Sequence, residues 1–246
     1  GLLGEENFEK ILGKRICIFG LGGVGGTAIE ALIRSGFNDI IIVDFDKVDI
    51  TNLNRQILYT CNDVGQAKTD CAKKRLLSIN PELKVVSYNC KAQEFDFSQD
   101  IDFVVDAIDD VEGKLFIAKK CTELGIPFIV SLGMANRFDP SMVKVSTLNK
   151  TFNDPLAKKI RYIFKENGLV LNKVNVVWSD EDSQPFNGRL NSIMTVPSSA
   201  GLNIANYVIK FFDDLSFLSN SDAVSFISLL NSLNCELISP IAFLYS

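Results

Sequence analysis

Histidine is absent from this chain of 246 residues, and its six cysteines, at positions 17, 61, 71, 90, 121 and 235, form no Cys-x-x-Cys pair. Zinc takes thiolate and imidazole ligands at short, regular spacings, so a zinc centre is not expected. The same scatter argues against a disulfide framework and suits a reducing interior. A secretory signal and an apolar run of about 18 residues are also missing, so insertion into a membrane is not expected and the cytoplasm is the default location. Internal repeats and low-complexity linkers are lacking too. Nor is there a basic excess: 25 Lys and Arg stand against 30 Asp and Glu, a net charge of −5. Nonspecific nucleic-acid binders neutralise phosphates with a global positive charge, so any RNA contact here must be a local patch.

What is present fits one core. The chain is 47% apolar, and its alternating strand-like and helix-like runs predict an α/β fold: a Rossmann-like, mostly parallel sheet with helices on both faces and a mixed C-terminal part. Residues 1–212 are read as that domain and 213–246 as a C-terminal extension, in which Ala223–Leu233 fits a short amphipathic helix. The stretch Ser179–Asn191 is the best candidate for a flexible loop.

The first chemical signal is a glycine run. Arg15-Ile-Cys-Ile-Phe19 reads as a buried strand leading into Gly20-Leu-Gly22-Gly23-Val-Gly25-Gly26, with a helix expected over Thr27–Ser35. Glycines let backbone approach an anion, and the free N–H groups and dipole of a helix N-terminus attract it. A second strand, Ile40–Asp44, ends in a carboxylate suited to ribose hydroxyls. By themselves these features fit an NAD or flavin enzyme as well as an ATP enzyme.

The next segment adds cations. Thr51-Asn52-Leu-Asn54-Arg55-Gln56-Ile57 and the isolated Lys68 follow the loop, and a triphosphate, unlike a diphosphate, needs cationic groups and a metal. Arg55 and Lys68 either supply them or are ordinary solvated surface charges. A third strand, Ile101–Asp106, runs into Asp106, Asp109 and Asp110 where an open α/β sheet places its ligand. Carboxylates there suit magnesium shared with phosphate oxygens. One of Asp109 and Asp110 is expected instead to cap the helix Val111–Leu124. Pro155 fits a first helical position and Asp154 its cap. Two basic clusters, Lys73-Lys74-Arg75 and Lys158-Lys159-Arg161-Lys165, are either RNA patches or solvated helix faces.

These residues together resemble the adenylating superfamily of ubiquitin-activating enzymes and of the sulfur-carrier adenylyltransferases of thiamine and molybdopterin synthesis. The motifs are Gly20-x-Gly22-Gly23-x-Gly25, Asp44-x-Asp46, Asn52-x-Asn54-Arg55-Gln56, Lys68 and Asp106-x-x-Asp109. The resemblance implies that Asp44 holds ribose, that Asn52, Arg55 and Lys68 contact phosphates, and that an aspartate of the last motif, Asp109 ahead of Asp106, serves magnesium. Within it, Gly4–Lys10, Asp63–Lys68, Ile79-Asn-Pro81, Gly133–Pro140, Asp154–Lys159, Val176–Ser179 and Val196–Gly201 are similar to the tRNA threonylcarbamoyladenosine dehydratase family, over roughly residues 2 to 212. The Asp139-Pro140 and Asp154-Pro155 segments separate it from the sulfur-carrier enzymes. The implied substrates are ATP with magnesium and a tRNA carrying threonylcarbamoyladenosine, whose carboxylate attacks the α-phosphorus and whose carbamoyl group then expels AMP. No protein thiol is needed, and Cys61 is not expected to act. The resemblance further implies a homodimer, and its sulfur-carrier branch a carrier or sulfur-transfer protein as partner. The chain opens at Gly1 without methionine, which suggests a trimmed or partial sequence, and the superfamily's N-terminal arginine has no counterpart here.

Overall fold

The computed structural model describes residues 4–183 and 190–218. Seven strands, β1 (Arg15–Phe19), β2 (Asp39–Val43), β3 (Lys84–Tyr88), β4 (Phe103–Asp106), β5 (Phe128–Ser131), β6 (Val143–Thr147) and β7 (Asn175–Ser179), form one sheet in the order β3-β2-β1-β4-β5-β7-β6. All neighbours run parallel except β6, which turns back against β7. Among the described residues six α-helices accompany it: α1 (Gly4–Leu12), α2 (Gly23–Arg34), α3 (Lys68–Ile79), α4 (Val111–Leu124), α5 (Pro155–Glu166) and α6 (Thr195–Leu218).

Side chains alternate across a strand, and the two faces of β1 show what each packs against. Ile16 and Ile18 join Ile40, Ile42, Phe103 and Val105 beneath α2 and α6, where Ala28, Ile29, Leu32, Ala200, Ile204 and Val208 close the layer. Cys17 and Phe19 point the other way, with Ile41, Val43 and Val104, onto Ile117 and Cys121 of α4 and onto Phe95 and Phe97. A third cluster under α5 gathers Ile160 and Phe164 with Val130, Val176 and Trp178. Strands covered on both sides need the continuous apolar runs seen in Ile40–Val43 and Phe103–Val105.

The expected fold is the observed one, with corrections at the edges of elements. The helix expected over Thr27–Ser35 begins four residues earlier, at Gly23, so half of the glycine run is its first turn. Glycine is a poor helix former, but a Cβ on Gly25 would lie 1.8 Å from the Gly20 carbonyl oxygen, and close packing decides here over propensity. β2 stops at Val43 and β4 starts only at Phe103, each inside the run read from sequence. α4 has the expected bounds and α5 the expected start, with Asp110 and Asp154 accepting from the backbone N–H of Gly113 and Ala157. α6 carries straight through Phe212 to Leu218. The Ala223–Leu233 helix lies outside the described residues, as do positions 184–189 of the Ser179–Asn191 loop.

Candidate active site

The strand order reverses direction between β1 and β4, and their carboxyl ends open the crevice where doubly wound sheets take ligands. Gly20, at φ +87°, turns the chain out of β1 so closely to the β4 exit that a Cβ would meet the Ala107 carbonyl oxygen at 2.6 Å. Gly22 is the N-cap of α2 and has no side chain to bond the free N–H groups of the first turn. They remain available to an anion.

Asp44 sits just past β2. Its Oδ2 accepts from Leu21 N at 2.7 Å and its Oδ1 from Asp46 N at 2.8 Å, which fixes the carboxylate against the glycine loop. Burial pushes its carboxyl above the usual range, opposed by nearby Lys68 and by the two backbone donors. Asp46 in turn accepts from Lys68 Nζ at 2.8 Å. Lys68 is only 6% exposed, so it is not a solvated surface charge. It occupies the first position of α3, where the helix dipole disfavours a cation, and Asp46 is its ion-pair partner.

A short turn, Ile50–Asn52, presents the rest. Asn52 Oδ1 accepts from Asp49 N at 3.0 Å, so its amide is oriented by the turn. Arg55 Nη1 donates to Thr51 O and to Asn54 Oδ1, both at 2.9 Å, and its Cγ lies 3.5 Å from where a Cβ on Gly23 would be. The side chain therefore leaves the backbone beside the α2 N-terminus, and its guanidinium has donors to spare. Asn54 Nδ2 donates to Ser192 O at 2.8 Å, linking the turn to the segment that precedes α6. Gln56 is buried, with its Nε2 toward Gly22 and its Oε1 without a partner among the described residues.

The three aspartates after β4 are unlike one another. Asp106 is fully buried and its Oδ1 accepts from Lys114 Nζ at 2.9 Å and from Ile108 N at 3.2 Å. Burial raises its carboxyl while the ammonium opposes the shift. Its Oδ2 has no partner among the described residues. Asp109 and Asp110 are both exposed; Asp110 is the helix cap, and Asp109 takes no hydrogen bond among the described residues. Among those residues no group of three or more acidic or cysteine side chains is arranged to hold a metal ion.

Two buried charged groups escaped the sequence reading. Lys114 is one; with Ile117, Ala118 and Cys121 it marks the buried stripe of α4, so a lysine at an apolar position was the available signal. The other is Arg137, 2% exposed, whose Nη1 donates to the carbonyls of Ser179 (2.6 Å) and Glu181, with Asp154 Oδ2 at 3.6 Å from its Nη2. Burial lowers its pKa. It ties together the loop after β5, the end of β7 and the cap of α5. Of the cysteines, Cys17 and Cys121 are buried and burial raises both thiols, while Cys61 is exposed.

Glycine loop, buried Lys68 and switch-point crevice define a nucleotide-binding α/β protein of the adenylating kind. The chain belongs to the ThiF family, whose model matches residues 1–234. It is 39% identical over 183 residues to the tRNA threonylcarbamoyladenosine dehydratase of Bacillus subtilis, covering 73% of this chain and 72% of that one. The Escherichia coli enzyme of the same name is 36% identical over 190 residues, covering 73% and 71%. Solved structures of E. coli tRNA N6-threonylcarbamoyladenosine dehydratase in complex with AMP and with ATP match with TM-scores of 0.82 and 0.81, at 32% identity, over 87% of this chain and 92% of theirs.

Proposed function

We propose that this chain is an ATP-dependent dehydratase that closes the threonylcarbamoyl group of tRNA threonylcarbamoyladenosine into a ring. The observation that carries the reading is the crevice at the carboxyl ends of β1 and β4, lined by an uncapped helix N-terminus, Arg55 and Lys68, in a chain whose relatives carry that enzyme's name.

The substrate carboxylate attacks the α-phosphorus of ATP, the bond to the β-phosphate oxygen breaks, and pyrophosphate leaves. The carbamoyl group then attacks the acyl carbon, AMP departs with the carboxylate oxygen, and a proton is released, so one water is lost overall. Both nucleophiles belong to the substrate, and the protein aligns them and stabilises charge. In this reading the N–H groups of Gly22, Gly23 and Gly25 cradle phosphate, Asp44 holds ribose, and Arg55, Asn52 and Lys68 bind the chain of phosphates. Asp46 and Asn54 orient Lys68 and Arg55, and Gln56 forms the floor of the loop. Asp109 is the carboxylate that would hold magnesium, which neutralises developing pyrophosphate charge when bound. The adenylating unit comprises residues 1–212, with 213–246 as a C-terminal extension. A homodimer is part of this reading, and no described helix is long and apolar enough to cross a membrane.

Incubation with ATP, magnesium and threonylcarbamoyladenosine-containing tRNA, followed by nucleoside mass spectrometry, tests it. Loss of one water from the modified nucleoside, with AMP formed in equal amount, is expected. Pyrophosphate exchange driven only by a ubiquitin-like carrier, with the tRNA unchanged, would assign the chain to the sulfur-carrier branch.

A further inference from the structure

Charge is segregated along this fold. Val143–Ser179, the unit running from β6 through α5 to β7, holds seven basic and two acidic residues, whereas the remaining chain holds 18 basic against 28 acidic. One of the two acids, Asp154, is buried at the α5 N-cap. Two of the seven bases are engaged, Lys144 with Asp180 and Arg161 with Thr151 O. Lys150, Lys158, Lys159, Lys165 and Lys173 are all exposed and make no ion pair among the described residues.

These five lie together. Residues of α5 at positions 158, 162 and 165 follow the helical repeat, and Lys159 flanks them, while Ala157, Ile160 and Phe164 bury the opposite side. Tyr162, 68% exposed, stands amid the lysines. The short turns Leu148–Lys150 and Leu171–Lys173 pack on α5 and add Lys150 and Lys173 at its margin. The helix starts at the site's own edge of the sheet: Asp154, its cap, also accepts from Gly133 N just beyond β5. At about 18 Å, α5 can span several consecutive phosphates.

The other basic cluster has a different character. Arg75 of α3 is paired with Glu30, and Asp70 lies on the same helix, beside β3 at the far edge of the sheet.

We propose that the exposed face of α5, with Lys150 and Lys173, is the surface on which the tRNA lies, its phosphates against the lysines and an unstacked base able to meet Tyr162. The assignment rests on the dehydratase reading and deepens it, since a chain of net charge −5 must concentrate its RNA contacts where the charge is reversed.

The test is fluorescence anisotropy of the full chain with unmodified tRNA across a salt series. The variant Lys158→Gln/Lys159→Gln/Lys165→Gln should lower the slope of log affinity against log salt by about 2 to 3 and weaken binding about tenfold or more at moderate salt. Its KM for tRNA should rise with kcat for dehydration retained. The control Lys73→Gln/Lys74→Gln should stay within about twofold of the parent. If thermal melting shows the triple variant unfolded, Lys165→Gln/Lys173→Gln is read in the same way, with a slope change of about 2. An unchanged slope, or equal losses in both variants, overturns the assignment and leaves the α5 face to an acidic protein partner. A parent chain that binds ATP but no tRNA overturns the dehydratase reading together with it.

Discussion

The half of the molecule built on β1, β2 and β4 and the half built on β5, β7, β6 and α5 use charge in opposite ways. In the first, charged groups are buried or pinned: Lys68 lies in an ion pair with Asp46, and Lys114 is sealed against Asp106 with neither side chain exposed. In the second, buried charge is confined to Arg137 and Asp154, and the free lysines of α5 stand in solvent. A buried pair is expensive to desolvate and worth keeping where a geometry must be held. An exposed lysine costs little and acts over a Debye length on a polyanion. The first half is thus suited to a small, fixed anion and the second to a large one that docks by many weak contacts.

The sharpest way to break the comparison is at Arg55 and Lys68. Each replaced by Ala should cost about 2 to 4 kcal/mol of transition-state stabilisation, a roughly 30- to 900-fold loss of turnover. Binding of tRNA, measured separately, should be untouched. If tRNA affinity falls as steeply as turnover, the two halves do not divide the substrates between them.

Lys114→Ala should come next. It leaves the Asp106 carboxylate buried without its partner, and a loss of about 3 to 5 kcal/mol in denaturant unfolding is expected. Retained stability would mean that Asp106 is simply protonated without its partner.

The neighbouring aspartates sharpen the division further. Asp109→Asn should raise the magnesium concentration needed for half-maximal turnover with stability unchanged, whereas Asp110→Ala should cost about 1 kcal/mol of stability by removing the α4 cap. Exchanged phenotypes would put the metal on the wrong carboxylate.

Acid should act on the nucleotide half before the basic half responds. Since burial holds the Asp44 carboxyl above the usual range, it takes up its proton at a higher pH than an exposed aspartate as pH falls. The protonated form loses acceptor capacity for the Leu21 and Asp46 N–H groups and for ribose, so ATP affinity should fall through that window and be regained as pH rises. Asp44→Asn should bind ATP weakly with that acidic limb gone. Calorimetry against pH reads both. The smallest effect is expected at sulfur: Cys61→Ser should leave dehydration unchanged and show no covalent adduct by intact mass, because both nucleophiles come from the substrate.

Much of this was legible in the residue order. Parallel strands covered on both faces demand unbroken apolar runs, and helix ends carry local signatures, which is why Asp110, Asp154 and Pro155 marked their helices from sequence alone. The glycine run, Arg55 and Lys68 pointed to the proposed polyphosphate site for the same local reason: the chemistry needs those residue types close together in sequence. Contacts between distant segments had no such signature. The tertiary structure alone decided that Asp106 pairs with Lys114 in the interior, that Arg137 of the loop after β5 binds carbonyls at the end of β7, and that the turns carrying Lys150 and Lys173 pack on α5. Each depends on which strand lies beside which, and a side chain's environment is fixed only once the sheet order has brought those segments together.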